Sequence, residues 1–396
     1  MRINRLAPTA QLATAWLTMF LVGSELFVMS PLLPYLAADF QLSTAVAGWS
    51  VAAFSITYTL SAPLLGLFSD RVGRRRVLVC SLLAFAAANL TTASAPNLPS
   101  LLGARLFAGV AAAGLSPSVY ALVAGAARAD RRATYLGRTV SGLVVSLALG
   151  APTGALTGAS FGWRPVFVGF ASLSLLLAWL NFRVWTDASG VSASHHRQPP
   201  SPLPAVVLMR RLTPTVVWSM GLYGVYTYLG AGLSAVGFST GQTARAILSY
   251  GCGAIAGVLI GGRVADRLGV KFTTGASLAG LCACFILLRL ALDAGVLVEP
   301  VLGMCSAIAQ LFFPAQQAGL ANDFPSRRSA ALAWNNSALF FGISLGSLVG
   351  GEAVSLGNFD AALTISAGIA LLGCLISGVA LAGPVRPDAR RTRVSR

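Results

Sequence analysis

Runs of about 20 mostly apolar residues, each long enough to cross a bilayer as a helix, recur along the chain and are separated by short polar breaks. The pattern predicts twelve spans, at roughly 11–36, 46–67, 75–95, 98–124, 134–159, 163–184, 213–237, 243–262, 271–292, 298–321, 329–352 and 359–383. The first follows Arg2 and Arg5 but is too long for a signal peptide and lacks a small-residue cleavage site, so it is expected to be retained. The expected fold class is an all-α polytopic membrane protein.

The pattern repeats at an offset of 196 residues. Gly66, Asp70, Arg71 and Gly73 fall on Gly262, Asp266, Arg267 and Gly269; Arg131 and Arg132 fall on Arg327 and Arg328; Gly150 and Gly154 fall on Gly346 and Gly350. Six spans separate each pair, an even number, so the halves share one orientation and are related by an axis along the membrane normal. The expected units are a six-helix bundle over 1–184, a Pro/Ser-rich cytoplasmic linker over 185–212, a second six-helix bundle over 213–383 and a basic cytoplasmic tail over 384–396. Two bundles related by pseudo-two-fold symmetry suit rocking about a central site, the geometry of alternating access.

Charge fixes the orientation. The chain carries 28 Lys+Arg against 12 Asp+Glu, a net +16, with only 10% of its residues charged. A mean hydropathy of +0.74 argues against a nucleic-acid binder. With the N-terminus inside, 24 of the 28 basic residues fall in the tails and even-numbered loops; Arg164, Arg245 and Arg289 lie on the other side, and Arg105 lies within span 4. This positive-inside bias predicts a multi-pass protein of the cell inner membrane with both termini cytoplasmic.

Several chemistries are excluded. The single lysine, Lys271, precedes Phe272, so no Walker A loop exists. The two histidines, His195 and His196, sit in the linker, a poor place for a triad or metal site. The six cysteines all fall in apolar stretches without a C-x-x-C pair and are expected to be small core residues. No enzyme activity, metal or cofactor is expected.

The segment Gly66-Leu67-Phe68-Ser69-Asp70-Arg71-Val72-Gly73-Arg74-Arg75-Arg76 follows span 2. It resembles the loop signature of the major facilitator superfamily, departing only at Phe68. Gly66 and Gly73 are expected to permit close helix approach and a tight turn. Asp70 can pair with an arginine or cap a helix, making a cytoplasmic gate that recurs at Gly262, Asp266, Arg267 and Gly269.

Arg105 and Gly109 in span 4 resemble the family's R-x-x-x-G element. An arginine in hydrocarbon costs at least about 2.5–3.5 kcal/mol, so it should face the interior and find an acceptor. The resemblance implies a part in proton coupling. Gly150-Ala151-Pro152-Thr153-Gly154 in span 5 resembles the antiporter-associated motif, with Ala151 inserted and one glycine missing, a form closer to arabinose-efflux, sugar-efflux and chloramphenicol exporters. Span 1 holds Glu25, the one acidic residue deep in a span; those exporters carry a glutamate followed by Phe, and here Leu26 precedes Phe27. A carboxyl withdrawn from water can trade a proton against a substrate or against Arg105.

The offset puts Gly221 opposite Glu25 and Val301 opposite Arg105, so coupling is expected in the first half alone. Tyr223 and Tyr226 share a helix face, as do Gln310 and Gln317; with Asn335 and Asn336 they are candidate substrate contacts. The resemblance implies a monomeric secondary transporter whose partners are protons, the lipid bilayer and a small-molecule substrate. Proton-coupled efflux of a drug-like molecule or sugar is expected, the alternative being symport uptake of a sugar, amino acid or organic acid.

Overall fold

The computed structural model describes residues 8–128, 131–186, 205–294 and 297–380. Every regular element among them is helical. In the first half these are α1 (Pro8–Asp39), α2 (Thr44–Ala47), α3 (Trp49–Val72), α4 (Arg74–Ala93), α5 (Leu98–Ala113), α6 (Leu115–Ala126), α7 (Arg132–Phe161) and α8 (Trp163–Val184). In the second they are α9 (Ala205–Tyr226), α10 (Leu229–Ala235), α11 (Thr240–Leu268), α12 (Val270–Ala294), α13 (Val298–Gln310), α14 (Phe312–Asp323) and α15 (Arg328–Ala380), with a short 3₁₀ turn before α15.

Ten of the helical segments are long and apolar enough to cross a membrane. One of them, Ala330–Gly378, has 49 residues and would reach about 70 Å at 1.5 Å per residue, more than twice a hydrocarbon core. It is two helices end to end: Gly357 and Asn358 leave helical geometry, and Asn358 has φ 63°. The repeat explains the break, because Asn358 stands 196 residues after Gly162, whose φ of 82° separates α7 from α8. With α9, which carries Arg210 and Arg211, the architecture is consistent with twelve crossings.

Some expected boundaries move. The seventh span begins at Ala205 rather than 213, so residues 205–212 are helix and not linker. The rest of the expected linker, with His195 and His196, and the tail from 384 lie outside the described residues. Spans 4 and 10 each divide at a local break, at Gly114 and Leu311. Cys80 and Cys252 are exposed on the helix surface instead of lying in the core.

Local chemistry sets several ends. Asn97 and Ser100 form a reciprocal capping box before α5, and Ser239 and Gln242 form one before α11. Gly73, with φ 108°, separates α3 from α4; its repeat mate Gly269, with φ 87°, separates α11 from α12.

Helix pairing follows the repeat. In the first half α1 packs on α7, α3 on α5 and α4 on α8; in the second, α9 packs on α15, α11 on α13 and α12 on α15. The halves meet where α7 packs on α11 and α3 on α15, contacts that exchange under the pseudo-two-fold. Leu60, Leu64, Leu67 and Phe68 form an exposed stripe on α3, as a lipid-facing surface would.

Several hydrogen bonds lie along the halves' junction toward the end opposite the arginine clusters. Tyr228 Oη donates to Ser347 O at 2.7 Å and approaches Ala45 O at 3.5 Å. Ser347 Oγ donates to Gly48 O at 2.9 Å, and the Gly230 N–H donates to Ser30 Oγ at 3.3 Å. Deeper in, Tyr58 stacks on Phe340 with ring centroids 3.6 Å apart.

Candidate functional site

Glu25 on α1 and Arg105 on α5 meet in the interior of the first half. They form an ion pair between Glu25 Oε1 and Arg105 Nη1, with side-chain exposures of 0% and 1%. Arg105 Nε reaches Ser50 O at 3.5 Å, and the guanidinium lies over the Phe54 ring at 4.7 Å and near the Phe167 ring at 5.8 Å. Aromatic faces and a carboxylate together supply what an arginine withdrawn from water requires. The carboxylate is less completely served: Glu25 Oε2 makes no hydrogen bond to the described protein, nor does the neighbouring hydroxyl of Ser24. One oxygen is held by the arginine while the other is left able to take a proton or a donor group.

The helix that presents Glu25 is held against α7 by small residues at four-residue intervals. Gly142, Ser146, Gly150, Gly154 and Gly158 face Trp16, Gly23, Ser24, Val28 and Leu32 in turn. A Cβ on Gly150 would overlap the Ser24 hydroxyl, and one on Gly154 would overlap Val28. These glycines let the two backbones approach closely, so the motif around Gly150, Pro152 and Gly154 is the seat of the helix bearing Glu25. Pro152 is buried within α7 and does not end it.

The gate motif divides into parts with different roles. Gly73 and Gly269 occupy positive-φ junctions that favour glycine. Gly66 and Gly262 do not serve close approach: a Cβ on either would have nothing within 4 Å. Arg71, Arg267 and Asp266 are exposed, and Asp266 makes no ion pair or cap among the described residues. The side chain of Asp70 lies outside the described residues. Arg74 Nη1 reaches Ala121 O at 3.4 Å, linking α4 to α6 within the half.

In the second half Tyr223 and Tyr226 lie together, with ring centroids 6.0 Å apart, and both are buried. Tyr226 donates to Phe27 O at 3.0 Å and packs edge-on against the Phe27 ring, two residues beyond Glu25. Tyr250 on α11 adds a third ring 5.1 Å from Tyr226, which sequence inspection did not single out. Asn335 is committed to packing: its Oδ1 accepts from Thr215 Oγ1 at 2.6 Å, while its Nδ2 stays unpartnered. Asn336, Gln310 and Gln317 are half-buried, and Gln310 packs beside Gly257. The buried glutamine is their neighbour Gln316, whose Nε2 donates to Arg211 O at 2.7 Å. Phe54 and Phe167 also complete the site without any signal in the sequence, since only the fold brings them to Arg105.

The model of the Major Facilitator Superfamily matches residues 15–244 and 228–396. The MFS-type transporter YceJ of Bacillus subtilis is 28% identical over 345 residues, 84% of this chain and 86% of its own. A chloramphenicol resistance protein of Streptomyces lividans is 29% identical over 260 residues, 62% of this chain and 64% of its own. The crystal structure of a D-xylose-proton symporter superposes with a TM-score of 0.79 at 18% identity, covering 93% of this chain and 97% of its own.

Proposed function

The chain belongs to the Major Facilitator Superfamily of transporters, and we propose that it is a proton-coupled exporter of a small drug-like molecule or sugar. The observation that carries this reading is the buried Glu25–Arg105 pair with its unserved carboxylate oxygen. A proton on Glu25 removes the charge that holds Arg105; its loss restores the pair. Substrate binding and proton occupancy are thereby made to compete at one carboxyl group. The seating of Glu25's helix on the antiporter-like motif of α7 supports export, as does the likeness to a chloramphenicol resistance protein.

The cycle has three steps, in an inner membrane with the arginine-rich end cytoplasmic. Glu25 is protonated from outside. Substrate enters from the cytoplasm or inner leaflet as the proton leaves inward. The halves then rock about the α7–α11 and α3–α15 junctions, and the helix ends carrying Asp70 and Asp266 act as cytoplasmic latches. One charge crossing 100 mV supplies about 2.3 kcal/mol to this cycle.

Vesicles of both orientations test the direction. With an imposed proton gradient, inside-out vesicles are expected to accumulate substrate, and Glu25→Gln is expected to abolish that accumulation at parental protein levels. Gln keeps the shape and an acceptor for Arg105 but cannot exchange a proton. Accumulation confined to right-side-out vesicles under an inward proton gradient would identify an uptake symporter instead.

A further inference from the structure

A cavity of about 400 Å³ opens at the arginine-rich end of the first half, away from the Glu25–Arg105 pair. Its lining includes Gln11 and Leu12 at the start of α1, Arg128 and Arg131 between α6 and α7, Tyr135 on α7, and Trp185 after α8. The wall is anchored. Gln11 Nε2 donates to Val184 O at 3.4 Å, Trp185 Nε1 donates to Asn181 Oδ1 at 2.9 Å, and Asn181 Nδ2 donates to Thr18 Oγ1 at 3.1 Å. The N-terminal end of α7 lies beside the arginines and adds partial positive charge.

The second half shows what the same place looks like when it is filled. At the 196-residue offset, Val207 stands for Gln11, Leu208 for Leu12, Phe324 for Arg128 and Ala331 for Tyr135. Leu208, Phe324 and Ala331 are buried in one apolar cluster with Leu320, and Val207 packs against it. The fold therefore does not require an opening here. Among the described residues the first half keeps an opening beside Arg128, Arg131 and Tyr135 where the second packs apolar side chains, although Arg131 itself has an equivalent in Arg327.

We propose that this cavity binds a phosphate group, carried by an anionic lipid headgroup of the adjoining leaflet or by a small soluble phosphate. Guanidinium groups match phosphate oxygens in geometry and charge. Basic pockets between helices at a membrane surface suit anionic headgroups. The volume falls in the range of small-molecule sites.

The test uses the full chain purified in detergent. Saturable binding of dihexanoyl phosphatidylglycerol, dihexanoyl phosphatidylcholine and inorganic phosphate is followed by native mass spectrometry and by the shift in thermal unfolding. Phosphatidylglycerol is expected to bind at least tenfold more tightly than phosphatidylcholine. Arg131→Gln is expected to weaken that binding at least tenfold, and Arg131→Lys, which keeps the charge without the paired donors, to weaken it less than Arg131→Gln. The pair Gln11→Val/Arg128→Phe, which copies the filled half and so favours folding, is expected to abolish it. Displacement by equimolar inorganic phosphate assigns the site to a soluble phosphate; binding of the lipid alone assigns it to the headgroup. The proposal is overturned if neither phosphatidylglycerol nor inorganic phosphate binds saturably, or if binding is unchanged in both Arg131→Gln and the paired variant.

Discussion

Gly23 and Ser146 face each other where α1 crosses α7, and at the equivalent crossing of α9 and α15 the two residue types have changed places, as Ser219 and Gly342. A Cβ built on either glycine would stand 3.1 Å from the Cβ of the facing serine and overlap its hydroxyl. Each crossing has room for one side chain, and which helix supplies it is interchangeable.

This exchange makes a paired prediction. Gly23→Ser alone overpacks the crossing and is expected to cost about 1–3 kcal/mol. Adding Ser146→Gly reproduces the arrangement of the second half and should recover most of that loss. Thermal unfolding in detergent of the two single variants and the double variant measures the coupling.

Removing Arg105 leaves Glu25 buried without its partner, able to relieve the loss only by taking up a proton. Arg105→Ala is expected to destabilise by about 3–5 kcal/mol. The double variant Glu25→Gln/Arg105→Gln should unfold at a higher temperature than Arg105→Ala, because no carboxyl has to be buried and the space of the arginine is partly filled. Both are expected to lose proton-driven transport, so stability and coupling separate in this series.

Tyr228 bridges the halves at the end opposite the arginine clusters. Tyr228→Phe removes its hydrogen bond to Ser347 O, worth about 0.5–1.5 kcal/mol. Opening at that end is then expected to become up to roughly tenfold more populated. Amide hydrogen exchange in α2, whose Ala45 carbonyl faces the Tyr228 hydroxyl, compared between parent and variant, measures that opening.

The two glycines of the gate motif should respond oppositely. Gly66→Ala has open space and a helical backbone, so stability is expected to hold or rise by about 0.5–1 kcal/mol. Gly73→Ala must take a positive φ and is expected to cost about 1–3 kcal/mol. Melting temperatures of both variants decide the matter, and equal losses would restore a packing role for Gly66.

Much of this was readable from residue order. Apolar runs of membrane length located the helices, and the 196-residue repeat anticipated the equivalent crossings. Glu25 and Arg105 stood out because a lone charge in an apolar run needs a partner, and they were the two available. What surrounds them was not readable. Phe54, Phe167 and Tyr250 look like any other apolar helix residues, and their role comes from crossing geometry that no spacing encodes. The same limit explains Gly66, where the residue type suggested contact and the neighbouring helix is too far away. It also explains Gln316, which is buried while Gln317, beside it, is only half-buried.

Ala148 lies on α7 between Ser146 and Gly150, and its backbone touches Gly251 of the opposite half. Within a single turn, then, α7 is gripped on one side by the helix bearing Glu25 and leaned on from the other by α11. A lever so short has little slack. In the proposed cycle this makes α7 the element that ties the tilt of one half to the carboxyl group of Glu25, through a contact too small to hold even a methyl group on Gly251.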